Sequence, residues 1–227
     1  MIGLDGDDTL WHSESYFAVA QDTFAKVLEP FTDGDADLQA AHYETERRNL
    51  KVFGYGVKGF TLSMIETAIQ VTEGRISTAA ITQLMELGKS LLEHPVELLP
   101  GVADTVAELA DAGRRLALVT KGDLFHQEQK IAQSGLADRF ERVEIISEKD
   151  EATYRRVLAG AGVEPEEFLM VGNTVRSDVL PVLALGGRAI QVPYAITWGH
   201  EEAEHEGNFP VLEHLSDLPG WLAEQGL

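Results

Sequence analysis

A doubly wound parallel α/β sheet, interrupted after its first strand by an all-helical insertion, is the architecture predicted by this 227-residue sequence. Three observations predict it. Five short apolar runs rich in Val, Ile and Leu lack clean alternation, as expected of parallel strands buried on both faces. From residue 100 onward these runs alternate with helical patterns, the signature of an open parallel sheet covered by helices. Between residues 13 and 98, by contrast, helix follows helix without a convincing strand.

Taken in order, the strand runs are Ile2–Asp5, Arg115–Thr120, Arg142–Ser147, Phe168–Asn173 and Arg188–Pro193. After Pro100-Gly101, the residues Val102, Val106, Leu109 and Ala110 share one helical face, with Gly113 as the stop. Further helical patterns cover residues 125–133, 151–161 and 178–185. In the insertion, Phe17, Ala20, Phe24, Val27 and Leu28 form one apolar stripe. Ile81, Leu84, Met85, Leu91 and Leu92 form another. The expected division is therefore a core of residues 1–12 and 99–227 with a helical module of 13–98.

Composition narrows the function. The formal net charge is −20, which argues against a general affinity for nucleic acid because that requires a basic footprint. Every apolar stretch is soon broken by charge, so no membrane span is expected. An acidic motif begins at residue 5, where a secretory leader would be basic and then apolar. There is no cysteine, which excludes disulfides and zinc–sulfur sites, and a cytoplasmic location is the expectation. A chain this acidic needs local cations if it handles an anionic substrate.

In such a sheet, ligands bind at the carboxyl ends of the strands. Asp5 and Asp7 follow the first run, Thr120 and Lys121 the second, Lys149 the third, and Asn173, Ser177 and Asp178 the fourth. Asp5-Gly6-Asp7 can turn two carboxylates to one side of an extended segment, facing one ligand. Gly6 leaves its N–H open to an oxyanion. A hard divalent cation, most plausibly Mg²⁺, would screen the repulsion between the carboxylates. One of them could attack phosphorus while the other manages protons. The Thr120 hydroxyl could bond a phosphoryl oxygen, and Lys149 could neutralise charge developing on the transferred group. An N-cap aspartate is a sufficient structural account of Asp178, with metal binding the functional alternative.

The ordered series Asp5-Gly6-Asp7-Asp8-Thr9-Leu10, Thr120, Lys149 and Gly172-Asn173…Ser177-Asp178 resembles the haloacid dehalogenase superfamily of phosphohydrolases. The likeness extends over essentially the whole chain, the insertion resembling that family's first-position cap. The resemblance implies that Asp5 is the nucleophile and forms an aspartyl-phosphate. Asp7 would protonate the leaving group and then activate water. Thr120 and Lys149 would hold the phosphoryl oxygens. Mg²⁺ would be bound by Asp5, the backbone carbonyl of Asp7 and Asp178. Position 173 is Asn where many relatives carry a second acid, so Asn173 is given a supporting role beside the metal. Residue 6 is Gly where a bulkier apolar residue is usual. Lys149 lacks a following proline common in the family; Lys130 competes with it but falls inside a helical pattern.

Gly6, Asp8 and Lys121 complete the expected substrate-binding set in the core. In the insertion, the cationic stretch Arg47–Gly59 offers Arg48 and Lys51 for the non-reacting part of an anionic substrate. Trp11 and His12 are expected near the junction with the insertion. The leading reading is a phosphomonoesterase acting on a small soluble phosphorylated metabolite, as a monomer or homodimer. Three others stand beside it. A dehalogenase would not need Asp7, and a phosphonate hydrolase would need a Schiff-base lysine. A catalytically idle binding protein is the third. A phosphoacceptor signalling domain would be shorter and lack the insertion.

Overall fold

Five strands form one wholly parallel sheet in the order β3-β2-β1-β4-β5, seen in a computed structural model that describes residues 1–32, 37–196, 198–201 and 208–227. They are β1 (Ile2–Leu4), β2 (Leu116–Lys121), β3 (Arg142–Ile146), β4 (Leu169–Gly172) and β5 (Arg188–Gln191). Each lies within one or two residues of its predicted run. Leu4 pairs with Leu118 on one side and Val171 on the other, which puts β1 at the centre. The strand order reverses there, where doubly wound sheets bind their ligands.

The unalternating apolar runs are explained by burial on both faces. Leu116 and Leu118 pack with Ile2, Leu4, Leu169 and Val171 on one side. Ala117 and Val119 pack with Phe168 and Met170 on the other. Leu4, Leu118, Val119 and Val171 are fully buried, each side chain contributing about 1.5–3 kcal/mol. Gly3 is small because a Cβ there would meet the Phe168 ring at 2.5 Å.

The chain divides into two compact units, Met1–Glu14 with Val96–Leu227, and Ser15–Pro95. These boundaries lie two or three residues from the expected ones. In the first unit, helices α5 (Val102–Asp111), α6 (Leu124–Ser134) and α7 (Glu151–Ala161) alternate with the strands; α8 (Leu180–Ala184) follows β4, and α9 (Leu218–Glu224) ends the chain. The second unit is all helical among its described residues: α1 (Glu14–Leu28), α2 (Leu38–Phe53), α3 (Val57–Val71) and α4 (Thr78–Leu92). Asp37 and Ser77 cap α2 and α4 by accepting from the amides of Ala40 and Ala80. Ala20, Phe24, Leu28, Phe60, Met64 and Leu84 form its core. Met85, placed in an apolar stripe by periodicity, is instead 46% exposed because α4 turns that side of its second turn to solvent.

One further element departs from the sequence pattern. The expected helix at 178–185 begins as a π-helical turn, Val175–Val179, and only then becomes α8. Pro181 is the cause, since it has no N–H to bond the carbonyl of Ser177. The buried Tyr154 hydroxyl donates to that carbonyl instead, at 3.1 Å.

Candidate active site

The site is assembled from the ends of β1, β2, β3 and β4. Directly after β1 the chain makes a tight loop in which the Gly6 carbonyl accepts from the amides of Thr9, Leu10 and Trp11. The loop puts Asp8 at φ 61°, a left-handed conformation that Asp tolerates better than most residues. Because β1 stops at Leu4, the extended periodicity expected to align Asp5 with Asp7 is lost. The two carboxylates have separate sets of partners.

Asp5 accepts from Thr9 Oγ1 at 3.0 Å and from Lys149 Nζ. Lys149, in the loop between β3 and α7, is 4% exposed and also donates to Asp178 Oδ1 at 2.6 Å. The other Asp178 oxygen accepts from the Thr174 amide and hydroxyl, both at 3.0 Å. Asp178 therefore sits inside the π turn and not at a helix N-cap. Gly172 lets its carboxyl fold back against the end of β4, since a Cβ at 172 would lie 2.3 Å from that group. Asn173 Oδ1 lies 3.4 Å from the Thr9 hydroxyl, one hydrogen bond removed from Asp5. Thr120 is buried at the end of β2, its Oγ1 3.1 Å from where a Gly6 Cβ would stand.

The electrostatics follow from this packing. Burial, with the charge of Asp178 adding to it, pushes Asp5 up to about 7, although Lys149 pulls the other way. Burial would strip the Lys149 proton, but Asp178 and Asp5 hold its pKa well above the usual lysine value. Burial also acts to raise Asp7. The charge of Lys130, with hydrogen bonds from Lys130, Gln127 and Trp11, outweighs it and leaves Asp7 below the ordinary carboxylate range.

Asp7 is the point at which the sequence reading missed residues. Trp11 Nε1 donates to its Oδ1 at 2.6 Å, Lys130 Nζ forms an ion pair with the same oxygen, and Gln127 Nε2 donates to Oδ2 at 2.9 Å. Gln127 and Lys130 are three apart on α6 and so share a face, which is the one signal that could have linked them. Lys130 thus contacts the second aspartate, while Lys149 bridges Asp5 and Asp178.

Three expected substrate residues have other partners. The Asp8 carboxylate accepts from the amides of Ser13 at 2.8 Å and Glu14 at 3.1 Å, satisfying donors at the start of α1. Lys121 donates to Ser177 Oγ at 3.0 Å and pairs with the buried Glu201, which no sequence pattern had marked. At Gly6 the Trp11 ring lies over the space a side chain would fill. In the helical unit, Arg48 is half exposed, bonded to Thr45 Oγ1 at 3.2 Å and 3.6 Å from Glu66, and Lys51 is exposed. His12, near the end of the loop, meets the Tyr194 hydroxyl at 2.6 Å.

Asp8 supplies a pH prediction. Burial, followed by the charge of Asp7, raises it from 3.8 to about 7. The folded chain then holds a proton that the unfolded chain has already lost, so this group's stabilising effect declines as pH rises from about 4 to about 7. Asp8→Asn keeps an acceptor without a charge to bury. It is expected to raise stability relative to wild type by up to about 4 kcal/mol at pH 8 and by little at pH 4, measured by urea denaturation. An equal difference at both pH values would reject this account.

Among the described residues, no three His, Cys, Asp or Glu side chains converge as a ready-made metal cage. The donor set nonetheless suits a hard cation that keeps part of its water shell. Asp5 and Asp178 are buried carboxylates sharing one ammonium, oxygen donors of the kind such a cation takes.

Known proteins resemble this chain in sequence and in fold. The family model for haloacid dehalogenase-like hydrolases matches residues 2–186. A crystal structure of a haloacid dehalogenase-like family hydrolase from Xanthomonas campestris superposes with a TM-score of 0.87 at 48% identity, covering 98% of this chain and 90% of that one. A glyceraldehyde 3-phosphate phosphatase from Methanothermobacter thermautotrophicus is 30% identical over 96% of each chain. A phosphoserine phosphatase from Thermus thermophilus is 36% identical over 100 residues, 42% of this chain and 40% of that protein. Several of the curated relatives are matched over only about half of their own length. With the family model spanning most of its length and its site residues drawn from the ends of four adjacent strands, this chain belongs to the haloacid dehalogenase-like hydrolases.

Proposed function

We propose that the protein is a Mg²⁺-dependent phosphomonoesterase acting on a small phosphorylated metabolite through an aspartyl-phosphate on Asp5. The observation that carries this reading is the buried Lys149 ammonium held between Asp5 and Asp178, at the strand ends where an anionic group can be received. The free lone pairs of Asp5 attack phosphorus, forming a new O–P bond as the ester O–P bond breaks. The departing alkoxide takes its proton from Asp7, which must enter this step protonated against the pull of Lys130. Water then attacks the phosphorylated Asp5, giving its proton to Asp7 as phosphate leaves. Thr120 and the Gly6 amide orient the phosphoryl oxygens, and Lys149 neutralises their charge. These are the positioning and charge-compensation tasks that dominate phosphoryl transfer. Asp5, Asp178 and the Asp7 carbonyl would hold Mg²⁺, which when bound adds positive charge against the phosphoryl oxygens.

The relatives named as phosphatases of phosphoserine, phosphoglycolate and glyceraldehyde 3-phosphate support small phosphate esters as the substrate class. The test is phosphate release from p-nitrophenyl phosphate and from those three esters, with Mg²⁺ and with excess EDTA. Release that needs Mg²⁺ and stops with EDTA is expected. No release from any of them, or release indifferent to chelation, would reject the proposal.

A further inference from the structure

We infer that Trp11, Gln127 and Lys130 are positioning residues that leave Asp7 one open acceptor direction, on Oδ2, and that with an aryl ester, whose leaving group needs no proton, this arrangement serves hydrolysis of the phosphorylated Asp5 more than its formation. The inference rests on the functional reading above. A carboxylate has about four lone-pair directions. On Asp7, Trp11 Nε1 and Lys130 Nζ fill both of those on Oδ1, and Gln127 Nε2 fills one on Oδ2. The remaining direction, on Oδ2, is where a proton can be received.

Each member of the set is itself held. Gln127 gives its second amide proton to the Lys121 carbonyl at 2.8 Å. Turned over, the amide would set its oxygen against a carboxylate and a carbonyl, so its orientation is determined. Lys130 stands one helical turn further along α6, whose start is capped by Asp123 accepting from the His126 amide. The Trp11 indole reaches Asp7 by lying over Gly6, where an added Cβ would meet the ring at 2.7 Å. Gly6 at this position is thereby accounted for: it makes room for an N–H donor to the aspartate beside it.

The two chemical steps make different demands on that oxygen. With an aryl ester, the leaving phenolate is stable without a proton, so forming the phosphorylated Asp5 draws little on Asp7. Hydrolysis draws on it fully. As the water oxygen bonds to phosphorus, a water proton passes to Asp7 Oδ2. The Asp5 O–P bond breaks, and its electron pair returns to the Asp5 carboxylate. An oxygen aimed correctly for this transfer is worth about 10²–10⁴-fold.

The experiment compares wild type, Lys130→Met and Trp11→Phe with p-nitrophenyl phosphate and Mg²⁺, in steady state and by stopped flow. The expected result is that kcat and KM both fall by about 10²-fold in each variant, with kcat/KM within about threefold of wild type. A burst approaching one nitrophenolate per enzyme should precede the slow phase, and phosphorylated protein should be visible by mass spectrometry. Lys130→Arg should recover part of kcat. A loss of merely structural origin lowers the active fraction, so kcat and kcat/KM fall together with KM unchanged and no burst; that outcome would overturn the inference. Should Lys130→Met fail to fold, Trp11→Phe and Lys130→Arg decide it by the same ratios. A wild type without Asp5-dependent turnover would instead sink the functional reading, and this inference with it.

Discussion

Asp5→Asn is expected to lower phosphate release by roughly 10⁴-fold or more, the effect of removing a nucleophile and not of disturbing a binding contact. The amide oxygen can accept from Lys149, and the amide N–H that replaces the other carboxylate oxygen can donate to the Thr9 hydroxyl. The fold should therefore survive, and the melting transition should remain cooperative. No phosphorylated protein should accumulate in this variant under conditions where Lys130→Met accumulates it. Activity of Asp5→Asn within tenfold of wild type, in protein shown by mass to be undeamidated, would remove Asp5 from the mechanism.

The second large effect is on stability as well as rate. Lys149→Met removes the shared cation between two buried carboxylates and puts an apolar chain of similar length in its place. Stripping one partner from a buried ionic group costs about 3–5 kcal/mol, because the charges left behind have lost both water and partner. The direction with pH follows from the same charges. Asp5 already titrates at about 7 with Lys149 present, and losing Lys149 pushes it higher still. The destabilisation should be largest above pH 7, where Asp5 must ionise, and should shrink as pH falls and Asp5 is protonated. Urea midpoints of metal-free wild type and variant at pH 5 and pH 8 measure this. Added Mg²⁺ should recover part of the loss at pH 8 by binding only the folded chain. Turnover should fall by about 10³-fold, and the acid limb of kcat/KM should move to higher pH, since Asp5 must be ionised to attack. Equal destabilisation at both pH values would show that Lys149 contributes packing and not charge.

Local signals in the sequence were enough for the layered architecture. Strands such as β2 could be read because parallel strands buried on both faces need unbroken apolar runs, and α7 because its apolar face lies within eleven residues flanked by Asp150 and Gly162. The acidic loop after β1 was legible for a similar reason: three aspartates in four residues are costly unless something compensates them. What compensates them was not legible. Asp7 meets Lys130 across 123 residues, Asp178 meets Lys149 across 29, and Lys121 meets Glu201 across 80. The π turn at Asp178 likewise answers to Pro181 and to a hydroxyl from Tyr154 on another helix.

The sequence by itself determined which segments become strands and helices and which strand ends carry acids, because hydrophobic periodicity and turn chemistry act over a few residues. Only the tertiary structure decided which lysine each aspartate receives, because a buried charge pairs with whatever cation the packing of sheet and helix brings within about 3 Å of it.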